Sequence, residues 1–181
     1  MLLRRTCTAL AACALALGPA ACGNSDKQGV DEPAREGLAL PLDGIDYNVF
    51  TTRELNLRVP PDEAYYKGPE APPGKAFYGV FLQACNHGSE PRQTASRFEI
   101  VDNQGEHFEP TKLPASNDFA YTPELLPPEE CIPRAGSVAQ LGPTAGSMLL
   151  FQFPLAATEN RPFELEILGD TGDKLTVELD L

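Results

Sequence analysis

The sequence predicts an all-β fold, an antiparallel β-sandwich, for the part of the chain that follows residue 40. Apolar and polar residues alternate along several short stretches, which is typical of half-buried strands. Gly, Pro, Asn and Asp separate these stretches at short intervals, as turn residues do. Because no stretch has a convincing helical period, we expect about eight strands in two packed sheets.

The first residues have the pattern of a secretory signal. Two arginines form a basic start, an Ala/Leu-rich run follows, and small residues precede Cys22. The run is too short for a bilayer about 30 Å thick, which needs about 20 residues. Small residues before a cysteine resemble the lipobox of bacterial lipoproteins, in which the cysteine is acylated, although Pro19 stands where that family usually has Leu. We expect a signal peptide at 1–21, lipid such as palmitate on Cys22, and an extracytoplasmic position on the cell membrane, with plain secretion as the alternative.

The remaining chain divides into two parts. Residues 22–40 are polar and contain Gly and Pro without periodicity, so we expect the acylated cysteine to be followed by a flexible tether. Residues 41–181 are expected to form one domain, because a chain of this length can bury a sufficient core.

The charge balance limits the partners. Loss of Arg4 and Arg5 with the signal would change the formal net charge of −12 to −14. An acidic surface argues against nucleic acid, whose phosphates need cations. It also argues against adsorption onto anionic lipid, so membrane attachment is expected only through Cys22. No cofactor motif is present, and we expect no cofactor.

Two cysteines remain after the signal and the lipidation site. In an oxidising compartment an even pair predicts one disulfide, Cys85–Cys131. In the chain-entropy model, closing a loop of this length stabilises the fold by about 4 kcal/mol.

The first half of the domain contains the strongest strand signal. Alternation at 45–49 and 55–59 predicts one long strand or two short ones. The proline-rich segment 60–75 is expected to be an inserted loop whose two tyrosine rings lie back on the sandwich. Residues 76–86 are apolar on both faces and therefore predict a central strand.

Further strands are expected at 98–100, at 107–113, weakly at 137–141, at 149–153, at 163–167 and, after a hairpin turn, at 175–181. The predicted core is Val49, Leu57, Val80, Leu82, Phe98, Ile100, Leu149, Phe151, Leu165, Ile167, Val177 and Leu179.

About half of the mature chain resembles a known group, the immunoglobulin-like domains of unknown function on bacterial lipoproteins, which are akin to small secreted mycobacterial antigens. The resemblance rests on a hydrophobic strand ending in Asn at 80–86, on the segments 98–105 and 108–110, and on glycines at 142–146 before a strand ending in Phe-Gln-Phe-Pro. It implies an immunoglobulin-like sandwich outside the cell membrane and no catalytic residues. The insertion at 60–75 departs from the group.

Two functions remain open at this point. The first is a non-catalytic binding or interaction module that engages an envelope protein or a small ligand through the loops 60–75 and 114–134. The alternative is a metal-handling envelope protein that binds copper through Cys85, His87, His107 and Cys131, residue types that suit that ion. No nucleophile elbow is present, and the paired carboxylates lie in polar turns, so we expect no enzyme activity.

Overall fold

The computed structural model describes residues 33–181. The expected signal peptide 1–21 and the expected lipidation site Cys22 lie outside the described residues. Pro33–Leu181 form one unit, and both β1 and β2 begin before residue 41. The predicted boundary at 41 is therefore too late, because residues 34–35 and 39–40 pair with strands of the two sheets.

Twelve strands and three short helical turns make up the described chain. The helical turns are the 3₁₀ segments Asp62–Ala64 and Leu155–Glu159 and the α-helical turn α1, Val138–Leu141. The strands are, in chain order, β1 (Ala34–Arg35), β2 (Ala39–Leu42), β3 (Ile45–Glu54), β4 (Lys75–Cys85), β5 (Arg92–Gln93), β6 (Arg97–Val101), β7 (His107–Phe108), β8 (Leu125–Leu126), β9 (Cys131–Ile132), β10 (Ser147–Pro154), β11 (Phe163–Leu168) and β12 (Lys174–Leu179).

The strands form two main sheets, so the predicted β-sandwich is confirmed. The first, called the β6 sheet, has the order β1-β12-β11-β6-β7. The second, called the β4 sheet, has the order β10-β4-β3-β2, with β9 also paired to β4. All of these pairs are antiparallel except β1 with β12. A separate two-stranded ribbon joins β5 and β8.

The hydrophobic core lies between the two sheets and contains eleven of the twelve predicted residues. Leu165, for example, is fully buried and is paired with Ile100 on one side and Val177 on the other. The exception is Leu57, which is only half-buried and packs in a second cluster. Alternation along the strands thus predicts the core well, since each inward side chain removes apolar surface from water.

The second cluster covers the outer face of the β4 sheet. Phe77 and Phe81 point to this face, as the apolar pattern of strand 76–86 predicts. Tyr65 is fully buried there, with ring centroids 4.9 Å from Phe81 and 4.8 Å from Phe119. The segment 60–75 is therefore a covering layer, and the expectation that its tyrosine rings lie back on the sandwich is confirmed.

The prediction that strand structure continues through 55–59 is wrong. Strand β3 ends at Glu54, and the chain turns where the buried carboxylate of Asp62 pairs with Arg53 and accepts the backbone N–H of Asn56 (2.8 Å). A buried carboxylate needs such partners, so it holds the turn. The guanidinium of Arg53 also lies 5.7 Å from the ring centroid of Tyr65.

Two other predicted strands differ from the structure. The segment 137–141 forms the helical turn α1, because the Oγ of Ser137 accepts the backbone N–H of Gln140 (3.2 Å) and caps it. The strand expected at 107–113 contains only β7, because Pro110 has no N–H to continue the ladder. Within residues 33–181, no helix is long and apolar enough to cross a membrane.

Candidate binding cleft

A cleft of about 670 Å³ opens where strand β6 of one sheet faces strand β10 of the other. Its lining comes from residues 96–99, 148–150 and two connecting segments, 109–115 and 120–123. Cavities of this size hold small ligands or short pieces of larger ones. The cleft is therefore the candidate functional site.

The β10 side of the cleft is closed by hydrogen bonds from the connecting segments. The N–H of Thr111 donates to the carbonyl of Leu150 (2.6 Å). The N–H of Tyr121 donates to the carbonyl of Met148 (2.9 Å), whose own N–H donates to Phe119 (2.6 Å). The connecting segments thus supply hydrogen-bond partners for the backbone of β10 at this edge of the β4 sheet.

The β6 side is only partly covered. Strand β7 pairs with Ile100 and Val101 and then ends. The chain continues through Pro110 and crosses to β10, where Thr111 pairs with Leu150. Among the described residues, no strand pairs with residues 97–99 on the side facing the cleft.

Two tyrosines fix the inner wall of the cleft. The ring of Tyr121 packs edge-on against Phe98, with centroids 5.0 Å apart. Its hydroxyl donates to the carbonyl of Ala95 (3.0 Å), and the N–H of Ala95 donates to the hydroxyl of Tyr47 (2.6 Å). Burial raises the pKa of Tyr47 and of Tyr121, so both rings stay neutral at physiological pH. These contacts hold the wall in place.

Charges of both signs lie around the cleft. The guanidinium of Arg97 donates to the carbonyl of Gly169 (3.2 Å). The carboxylate of Glu99 lies 2.7 Å from Nδ1 of His107. Lys112 and Glu109 also line the cleft and are exposed. A ligand that fits this balance of charges needs no strong net charge of its own.

The cysteines predicted to pair are joined in the structure. Cys85 is the last residue of β4 and lies directly opposite Cys131 of β9, with Cα atoms 4.1 Å apart and a disulfide between them. The bond lies within the β4 sheet and ties the segment before α1 to a strand end.

This disulfide argues against the alternative copper site at Cys85, His87, His107 and Cys131. A disulfide leaves neither sulfur as a thiolate ligand, so Cys85 and Cys131 are lost from the proposed set of four. His107 pairs with Glu99, and His87 lies 4.0 Å from Asp46. Within the described part of the chain, no group of three or more His, Cys, Asp or Glu side chains could hold a metal ion.

The two loops expected to contact a partner, 60–75 and 114–134, lie in different parts of the domain. Segment 60–75 covers the β4 sheet as described above. Segment 114–134 contributes residues 114–115 and 120–123 to the lining of the cleft. Sequence reasoning missed the larger part of the lining, on β6, on β10 and in 109–113, because it depends on which strands become edges. The only local signal is Pro110, which stops strand β7.

Comparisons with known proteins found similar solved structures and no family. No protein-family model matches the chain, and no curated protein does. The chain is similar to an uncharacterized β-sandwich protein from Clostridium difficile 630, with 14% identity over 82% of this chain and 97% of that one and a TM-score of 0.48. It is also similar to the yjhA protein from Bacillus subtilis, with 8% identity over 81% of this chain and 99% of that one and a TM-score of 0.48.

Proposed function

We propose that this protein is a non-catalytic binding module of the bacterial cell envelope, anchored through lipid on Cys22, whose sandwich is immunoglobulin-like and engages a partner in the cleft between β6 and β10. The signal-like segment 1–21 and the small residues before Cys22 support the anchor. The observation that carries the binding role is the preformed cleft of about 670 Å³.

The construction of the cleft favours binding. Its inner wall is apolar and held by hydroxyl–backbone hydrogen bonds, and its charged groups lie at the rim. A ligand can therefore bury apolar surface against a wall that does not have to rearrange, which avoids an ordering cost. The proposed partner is another envelope protein or a small ligand outside the cell membrane.

Site-specific photo-crosslinking in intact cells tests the binding role. A photoreactive phenylalanine replaces Ala115, which is exposed and lines the cleft, or Ala135, which is exposed and lies outside it. We expect crosslinked products from position 115 and none from the matched position 135. Equal products from both positions, or none from 115, would remove the cleft from the proposal.

Intact mass of the protein extracted from membranes tests the anchor separately. We expect an N-terminus at Cys22 that carries acyl mass, and no acyl mass on the Cys22→Ala variant. An unmodified cysteine or a mature protein found only in the medium would exclude lipidation and leave plain secretion.

A further inference from the structure

We propose that the cleft takes an extended peptide, which adds as a strand to the open edge of β6 and pairs with Ser96 and Phe98. This inference rests on the proposed binding role and assigns the class of partner: a polypeptide segment in β conformation with apolar side chains at alternate positions. The observation behind it is an interrupted ladder at the edge of the β6 sheet.

The hydrogen-bond pattern shows which backbone groups of β6 face the cleft. The N–H of Asp102 donates to the carbonyl of Glu106 (3.1 Å) in the turn between β6 and β7. In an antiparallel ladder the backbone N–H and C=O of every second residue point to the same neighbouring strand. The N–H and C=O of Ile100 and of Phe98 therefore face the β7 side, and continuing the alternation one step beyond β6 places those of Ser96 on the same side.

The pairing of β6 with β11, on its other side, gives the same direction for the backbone groups of Phe98. The N–H of Gly169 donates to Asp173 (2.8 Å), which fixes the residues of β11 that face β12. The alternate residues of β11 face β6, and among them Leu168 is paired with Arg97. The backbone N–H and C=O of Arg97 and Glu99 thus point to β11. Those of Phe98, which lies between them, point to the open side.

Pro110 explains why this side stays open. By the register of β6 with β7, in which Ile100 is opposite Phe108, residue 110 would be opposite Phe98. Proline has no N–H to donate, and the chain turns away to β10. Phe98 is only 4% exposed, and among the described residues neither its N–H nor its C=O has a backbone partner on that side. A backbone N–H or C=O that has no protein partner in the wall of the cleft can be paired by a ligand, and that ligand gains affinity.

Backbone complementarity distinguishes a peptide from other apolar ligands. Ser96 and Phe98 together offer two donors and two acceptors at the spacing of a strand, and three consecutive peptide residues satisfy all four. Residues opposite each other in an antiparallel pair have side chains on the same face. The peptide side chains opposite Ser96 and Phe98 therefore point to the same face as the Phe98 ring, toward Tyr121, which packs on it.

The test uses three synthetic peptides and the ¹⁵N-labelled protein. The probe is an acetylated, amidated heptapeptide of alternating Thr and Val, because its valines both fill the cleft and turn their N–H groups to β6. Methylation of the valine nitrogens removes these donors, whereas methylation of the threonine nitrogens changes only the far edge. We expect amide shifts at Ser96 and Phe98, at least about tenfold weaker binding after valine methylation, and little change after threonine methylation.

Equal binding of both methylated peptides would overturn strand addition while leaving the cleft as a binding site, so the two proposals can fail separately. Absence of shifts at Ser96 and Phe98 at millimolar peptide would also overturn it, as would concentration-dependent dimerisation through the same amides, which would assign the edge to a second copy. Ala115→Trp is expected to block the peptide and Ala135→Trp to leave it unaffected; the reverse result would place the peptide elsewhere.

Discussion

The two strand edges that flank the cleft differ in whether their backbone groups have hydrogen-bond partners. At β10, the backbone N–H groups of Thr111 and Tyr121 occupy the carbonyls of Leu150 and Met148. At β6, the ladder with β7 stops before Phe98. Both edges belong to buried strands of the same sandwich, and both are bordered by the same connecting segments.

This difference shows how a sandwich can expose one binding edge without exposing a whole strand. Unpaired edges invite association with other chains, and natural proteins usually cover them. Here residues outside the strands cover β10. On the β7 side of β6, the stretch before Ile100 stays open because Pro110 ends the pairing with β7. The open stretch is short, lies in a cleft and is bordered by charges, which limits what can pair with it.

The largest effect on this arrangement is expected from Tyr121→Ala. The substitution removes a buried ring that packs on Phe98 and holds Ala95, so it should lower the free energy of unfolding by about 3–5 kcal/mol. Tyr121→Phe keeps the ring and should cost only about 1 kcal/mol. Chemical denaturation of both variants measures the difference; equal losses would mean that the ring does not support the wall.

Alkaline pH should weaken the same wall. Burial raises the pKa of Tyr47 and Tyr121 in the folded protein, so the unfolded chain loses these protons first. Their contribution is fully present below the ordinary tyrosine pKa of about 10 and is lost as the pH rises above it. Unfolding free energies across this range should fall less steeply for Tyr121→Phe than for the native protein, and identical slopes would contradict the assignment.

Thr111→Pro tests the closed edge. The substitution removes the N–H that donates to Leu150, and leaving that nearly buried carbonyl unpaired should cost about 1–3 kcal/mol. Thr111→Ala retains the N–H and serves as the control, with an expected change within about 0.5 kcal/mol. If both variants lose the same stability, the bond does not close the edge.

Pro110→Ala should have the smallest effect on stability and the clearest effect on the open edge. The new N–H can pair with Phe98, a gain of about 1 kcal/mol that the extra freedom of the unfolded chain offsets by about 0.4–1 kcal/mol. Stability is therefore expected to stay nearly unchanged while β7 lengthens and peptide binding falls. Unchanged peptide binding with a lengthened β7 would contradict the proposed pairing.

The strands and core could largely be predicted from the sequence because period-two alternation records which face of a strand is buried. The errors at 55–59 and 137–141 have local causes that alternation does not record. The first is the ion pair of Asp62 with Arg53, which turns the chain, and the second is the cap that Ser137 supplies.

The cleft was less predictable, because an edge is a property of strand order. Neither the unpaired backbone groups of Phe98 nor the closure of β10 follows from composition or motifs. Once the register of β6 with β7 is known, Pro110 explains the gap, but the sequence alone does not say which residue it faces. The cysteine pairing could be predicted from the cysteine count, because the expected signal and lipidation site leave only two thiols and the expected compartment is oxidising.

Scalar couplings measured across hydrogen bonds by NMR test the central claim most directly, because each one identifies a donor and its acceptor. In the protein without peptide, we expect couplings from the Thr111 N–H to the Leu150 carbonyl and from the Tyr121 N–H to the Met148 carbonyl. We expect none from the Phe98 N–H to any carbonyl of the chain until the alternating peptide is added. A coupling from Phe98 in the free protein would show that the edge of β6 is already closed and would contradict this account.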